Sequence, residues 1–108
     1  MDIHDMAEIM REKARMATDF RHKVVFDFGE SGAIQIDASE TPAKIAVCSS
    51  AADLEDDMDV ETTLRLSPET MAGFLNGTKD PNIAFMTGKL KVSGKMGVAM
   101  KLNALLED

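Results

Sequence analysis

Between Phe20 and Val24 the hydrophobic period of this chain changes from about 3.6 residues to about 2. Before the change, Ile3, Met6, Ala7, Met10, Ala14, Ala17 and Phe20 recur at three- and four-residue steps, with Glu8, Arg11, Glu12 and Arg15 on the other faces. That pattern predicts an amphipathic helix over the first twenty residues, with a local ion pair among Glu8, Glu12 and Arg15. After it, Val24, Phe26 and Phe28 share one face of a strand over 22–28, and Lys23 and Asp27 take the other with Val25 between them. Gly29-Glu30-Ser31-Gly32 reads as a turn. A second strand covers 33–38 with Ile34 and Ile36 inward, and a third covers 44–48 beyond the turn marked by Pro42. Residues 53–59 read as an acidic loop. A fourth strand over 60–66 sets Val60, Thr62, Leu64 and Leu66 against Glu61, Thr63 and Arg65. Successive strands with short connections predict an antiparallel meander with one buried face.

The period then returns to helical. Ser67-Pro68-Glu69 is a helix start, with Ser67 as N-cap and Pro68 at the first helical position. Met71, Phe74 and Leu75 supply its apolar face and Gly77 stops it. Asp80 and Pro81 repeat the device for a shorter helix carrying Ile83, Phe85 and Met86, which Gly88 ends. A fifth strand over 89–93 alternates Leu90 and Val92 with Lys89 and Lys91. The last helix, from Met96 to about Leu106, is apolar on most of its circumference. Such a helix must be covered on most faces, so it either packs against a second subunit or closes over an apolar ligand. No repeat, linker or low-complexity segment interrupts this order.

Composition narrows the function. The 108 residues make one domain, 44% hydrophobic and 29% charged, too apolar for a disordered chain and too short for a cleft between domains. A net charge of −7 repels nucleic acid, and with no Trp or Tyr only five Phe could stack a base. Nine Met form an unusually large share of the apolar set. A single cysteine, Cys48, excludes an internal disulfide and fits a reducing compartment. No stretch approaches the ~20 apolar residues of a membrane span, and neither end carries a secretory, lipidation or peroxisomal signal. The expectation is a cytoplasmic protein, monomeric or a small oligomer.

The chain lacks the residues of most chemistries. His4 and His22 have no ligand spacing to each other or to Cys48, so no metal site is expected. Cys48 sits in an apolar strand with no neighbouring base and reads as a small buried thiol. Counted from Asp53 as a calcium loop, the positions that need Gly and Glu hold Met58 and Leu64. The run from Gly88 to Lys95 resembles a phosphate loop, but its glycines are one residue too far apart and Met96 stands where Ser or Thr is needed. No catalytic constellation emerges, and no cofactor is called for. Charge, however, is unevenly spread. Between Lys79 and Lys101 stand five Lys (Lys79, Lys89, Lys91, Lys95 and Lys101) and one Asp, a balance of +4 that leaves −11 for the rest. These lysines are either a solvated edge or a surface that docks transiently on an anionic membrane or an acidic partner.

Ala84-Phe85-Met86-Thr87-Gly88-Lys89-Leu90-Lys91-Val92-Ser93-Gly94 and Met96-Gly97-Val98-Ala99-Met100-Lys101-Leu102 resemble the sterol carrier protein type-two domain family. With Thr70 to Asn82 ahead of them, these motifs cover about a third of the chain closely; the rest matches by its order of elements and its length. The resemblance implies an α+β fold in which a five-stranded, mainly antiparallel sheet is covered by helices around an apolar tunnel. It also implies a domain that binds fatty acids, acyl-CoA, sterols or phospholipids without being an enzyme. Carried over by position, Phe74, Phe85, Met86, Leu90 and Val92 would line the tunnel. Met96, Met100, Leu102 and Leu105 would close it, and Phe26, Ile36 and Leu64 would form its floor. Many relatives continue past the last helix to a peroxisomal address, whereas this sequence ends at Asp108, so one side of that helix is expected to be open or covered by a partner. Two readings follow. One is a carrier that sequesters or transfers an apolar ligand. The other is an accessory module of a lipid- or quinone-modifying enzyme, or a homodimer, that docks through the last helix.

Overall fold

A computed structural model describes residues 2–16, 20–39, 43–50 and 60–106, with side chains to residue 102. The amphipathic pattern folds as α1 (Ile3–Met16), which is capped where Asp2 accepts from the Asp5 amide at 2.9 Å. Met6, Ala7 and Met10 form its buried stripe. Glu8 pairs with Arg11, and Glu12 with Arg15 at 3.4 Å. Phe20 lies beyond the helix yet is buried. The period-two segments form β1 (Lys23–Asp27), β2 (Ala33–Asp37), β3 (Lys44–Cys48) and β4 (Thr62–Leu66). Then come α2 (Pro68–Asn76), α3 (Pro81–Met86), β5 (Leu90–Gly94) and α4 (Met96–Leu106). The turn at Pro42, the acidic loop over 53–59 and its calcium reading lie outside the described residues.

The strands form one five-stranded sheet in the order β3-β2-β1-β4-β5. It is mainly antiparallel, but the expected meander holds only through β3. β4 returns to lie parallel to β1, with Phe26 opposite Leu64, rather than beside β3. Alternation determines which side chains face inward and says nothing about which strand is the neighbour. The expectation of a single buried face also needs correction. Val25 and Ala33 are buried on the back of the sheet, where Val60 packs with them. Val60 precedes the first residue of β4 and so does not join the Leu64 face. On the front, α1, α2 and α4 cover Val24, Phe26, Ile34, Ile36, Leu64 and Leu66, with Met6, Met10, Met71, Phe74, Val98 and Leu102 interdigitated. Cys48 on edge strand β3 is only half-buried, more accessible than its apolar setting implies.

One cluster joins β1, β4, β5 and the start of α4. The Glu61 amide donates to Lys23 O at 2.9 Å, and the Lys95 amide donates to Glu61 O at 3.1 Å. The hydroxyl of buried Thr62 donates to Lys95 O at 2.9 Å. The Glu61 carboxylate accepts from His22 Nδ1 at 2.8 Å and from Lys95 Nζ at 3.4 Å. Gly94 passes so close to this cluster that a Cβ there would stand 2.4 Å from Glu61 O and 3.1 Å from Thr62 Cα, with φ at +104°. Both obstructing atoms are backbone and cannot swing aside.

Gly94→Ala should therefore destabilise the fold by about 2 kcal/mol or more in denaturant unfolding. An unchanged midpoint would show that the β4–β5 junction relaxes freely. Burial pushes the Glu61 carboxyl up, but the hydrogen bonds from His22 and Lys95 and the charge of His22 outweigh it and hold the group below its ordinary value of 4.5. The folded state thus favours the carboxylate, and its contribution is complete above that value and lost as pH falls below it. Glu61→Gln should be less stable than the natural protein at neutral pH, with the gap closing as pH drops below 4.5. A gap independent of pH would remove Glu61 from the acid sensitivity of the fold.

Candidate apolar ligand site

Two capping devices shape the region where the apolar residues gather. Ser67 accepts from the Thr70 amide at 3.1 Å to open α2, and Gly77, in the left-handed region, closes it. Asp80 accepts from the Asn82 amide at 2.7 Å to open α3, and the Thr87 hydroxyl donates back to Ile83 O at 2.9 Å at its end. Held to six residues, α3 buries only Pro81 and Ala84 and turns Ile83, Phe85 and Met86 outward. Along β5, Leu90 is buried and Val92 half-buried. Along α4, Val98, Ala99 and Leu102 face the sheet, while Met96 and Met100, one turn apart, stay exposed.

These elements enclose a cleft between α3 and α4. Leu64, Leu90 and Val92 form its floor, Asn82 and Phe85 one wall, and Met96, Ala99 and Met100 the other. Its volume is about 70 Å³, room for a few waters, whereas a site for a lipid-sized ligand needs roughly 300–1,000 Å³. A larger hollow of about 570 Å³ opens beside the α2–α3 loop. Lys13, Asn76, Thr78 and Lys79 rim it, with Phe74 and Ile83 at its apolar side. It is the roomier of the two, but its polar rim and open mouth suit an apolar ligand less well than the α3–α4 cleft does.

The residues singled out in the sequence fall into separate groups. Leu64, Phe85, Leu90, Val92, Met96 and Met100 meet at the cleft. Phe26, Ile36 and Leu102 are fully buried in the core beneath it, and Phe74 borders the other hollow. Met86, 82% exposed, lines neither. The side chain of Leu105 lies outside the described residues. Of the lysines, Lys79, Lys89, Lys95 and Lys101 are exposed around α3 and α4. Lys91 instead sits opposite Arg65 on the back of the sheet. Asn82 and Ala99 were missed, although each stands three residues from a cleft residue on its own helix, Phe85 and Met96. The Glu61 cluster was missed with no local signal available, because its side-chain partners lie 33 to 39 residues apart.

Among the described residues no group of acids, histidines or cysteine could hold a metal ion, and no helix is long and apolar enough to cross a membrane. What the cleft offers is contact area, with Asn82 its one polar side chain.

Comparison with known proteins bears on the fold and the family of the chain. Sterol carrier protein 2 of Rattus norvegicus is 35% identical over 51 residues, 47% of this chain and 9% of that protein, so this chain matches only about a tenth of the curated relative's length. Among solved structures, sterol carrier protein 2 from Yarrowia lipolytica in its apo form superposes with a TM-score of 0.62 at 22% identity, covering 94% of this chain and 77% of that one. A ubiquinone synthesis protein, UbiJ-SCP2, superposes with a TM-score of 0.59 at 14% identity, covering 91% and 71%. At such identities the superpositions speak for the fold alone. The model of the SCP-2 sterol transfer family matches residues 7–107, nearly the whole chain, and the chain therefore belongs to that family.

Proposed function

We propose that this protein binds an apolar ligand between α3, α4 and the sheet, and passes it between membranes without making or breaking a bond. The observation that carries this reading is the meeting of Phe85, Met96 and Met100 over Leu64 and Leu90 in a cleft with one polar side chain. The closed cleft is too small for a fatty acid, acyl-CoA, sterol or phospholipid chain, so binding requires α4 to move away from α3. Two features favour α4 as the moving wall. Its outer face is exposed, and the Lys95 cluster fastens its first residues while leaving the rest to side-chain packing. Once α4 lifts, Leu102 leaves the sheet, and Phe26 and Ile36 become the deeper floor of the tunnel that the family resemblance implies. Leu105, further along α4, joins the same cover. Methionine suits such a wall, since its three rotatable bonds and polarizable sulfur re-pack around ligands of different shape. A lone half-buried thiol, Cys48, is compatible with work in the cytoplasm.

A second reading follows from the neighbour named a ubiquinone synthesis protein: the chain is an accessory module whose exposed α4 face rests on an enzyme. The exposure of Met96 and Met100 is the observation in its favour.

Ligand bound only by the folded state stabilises it by about 2.7 kcal/mol at a hundredfold excess over Kd, about 10 °C in Tm for a domain of this size. Thermal unfolding with oleate, palmitoyl-CoA, cholesterol and phosphatidylglycerol should show such a rise for at least one of them. Phe85→Asp and Met100→Asp, both at exposed positions, should remain folded and lose it. Native mass spectrometry of the freshly purified protein should find a lipid-sized adduct. No Tm rise with any of the four lipids, together with a lipid-free mass, would end the carrier reading; a stable complex with an enzyme would favour the accessory one.

A further inference from the structure

Six large hydrophobic side chains are exposed among the described residues, and five of them, Ile83, Phe85, Met86, Met96 and Met100, stand on the neighbouring helices α3 and α4. The sixth, Met16, ends α1, away from this pair of helices in the chain. Clustering of this kind marks a surface that meets a partner, whereas scattered exposure needs no explanation. We propose that the α3–α4 face is a docking surface for an anionic bilayer. The purpose of that contact rests on the lipid-carrier reading, but its test does not.

Charge selects the occupant. Lys79 and Lys89 flank α3, Lys95 and Lys101 flank or stand on α4, and all four are exposed. The one acid between Lys79 and Lys101 is Asp80, whose carboxylate is engaged at the Asn82 amide. Because Lys91 lies on the back of the sheet, the four lysines and Asp80 give this face +3, with the Lys95 ammonium also paired to Glu61 at 3.4 Å. The segment as a whole carries +4 and the remainder of the chain −11. Near a negatively charged lipid surface the acidic body is repelled and the α3–α4 face attracted, so the charge distribution orients the molecule before any apolar contact forms. Ile83 and Met86 then enter the interface, while the lysine stems lie along it with their ammonium groups among the headgroups. A second copy of the chain fits less well, because a two-fold contact through this face would set lysines against lysines. Docking in this pose also places Phe85, Met96 and Met100, the exposed lip of the cleft, against the bilayer, where a lipid could pass between the two without crossing water.

Flotation with phosphatidylcholine vesicles, with and without phosphatidylserine, tests the proposal. Binding should require phosphatidylserine and weaken with salt. Ile83→Asp/Met86→Asp should lose binding, and Lys89→Glu/Lys101→Glu should lower the partition coefficient at least about fivefold for each lysine reversed. Met16→Asp should bind as the natural protein does. Binding that ignores phosphatidylserine, that survives both double variants, or that is lost equally in Met16→Asp would overturn the proposal. So would a dimer in solution that both double variants dissociate, since the face would then belong to a second copy. Anion-dependent binding without any thermal shift by a lipid would leave the docking face standing and remove the carrier reading; a thermal shift without vesicle binding would do the reverse.

Discussion

The parallel pairing of β4 with β1 is the contact on which the site depends. It sets Leu64 beside Phe26 at the centre of the sheet and gives β5 an edge to pair with, so that Leu90 aligns with Leu66 and Val92 with Leu64. Without that pairing there is no floor beneath α3 and α4. The bonds around Glu61 fasten the same junction from its end: one residue joins β1 through Lys23, β5 and α4 through Lys95, and His22 through its carboxylate. The cover is thus pinned where it leaves the sheet and held beyond that point by Val98, Ala99 and Leu102.

This arrangement trades packing for adaptability. A core built for stability alone would bury Phe85, Met96 and Met100, since each buried side chain of that size contributes about 1.5–3 kcal/mol. Here the six-residue length of α3 and an α4 that is apolar on most of its circumference leave them 45% to 68% exposed over a small void. Closing the void would gain stability and remove the place where an apolar ligand could enter. The core on the other side of the sheet front, around Met6, Met10 and Met71, makes no such concession: all three are fully buried. The described methionines therefore divide into packed and exposed sets, a distinction that composition could not reveal.

Much of the architecture was legible because it is local. The caps at Ser67 and Asp80, the stop at Gly77, the bounds of β3 and α4, and the inward faces of β1, β2 and β5 each follow from residues within a turn or a strand of one another. The cleft was legible in part for the same reason, since Phe85, Leu90, Val92, Met96 and Met100 lie within one short stretch of chain. Met86 falls outside the cleft because an apolar side chain on a short helix can face either way, and only the burial of Pro81 and Ala84 decides which. Lys91 was grouped with the other lysines by proximity in sequence, although strand alternation sends it to the back of the sheet beside Arg65.

By itself the amino-acid sequence determined the order of helices and strands and the separation of an acidic body from a basic C-terminal segment. Periodicity, capping and charge are properties of neighbouring residues and survive without a fold. The tertiary structure alone decided that β4 lies beside β1, that Val25, Ala33 and Val60 form a second apolar cluster behind the sheet, and that Glu61 meets His22 and Lys95. Those contacts join residues far apart in the chain. Their partners are chosen by which surfaces remain unburied once the local elements have formed, and no local pattern encodes that choice.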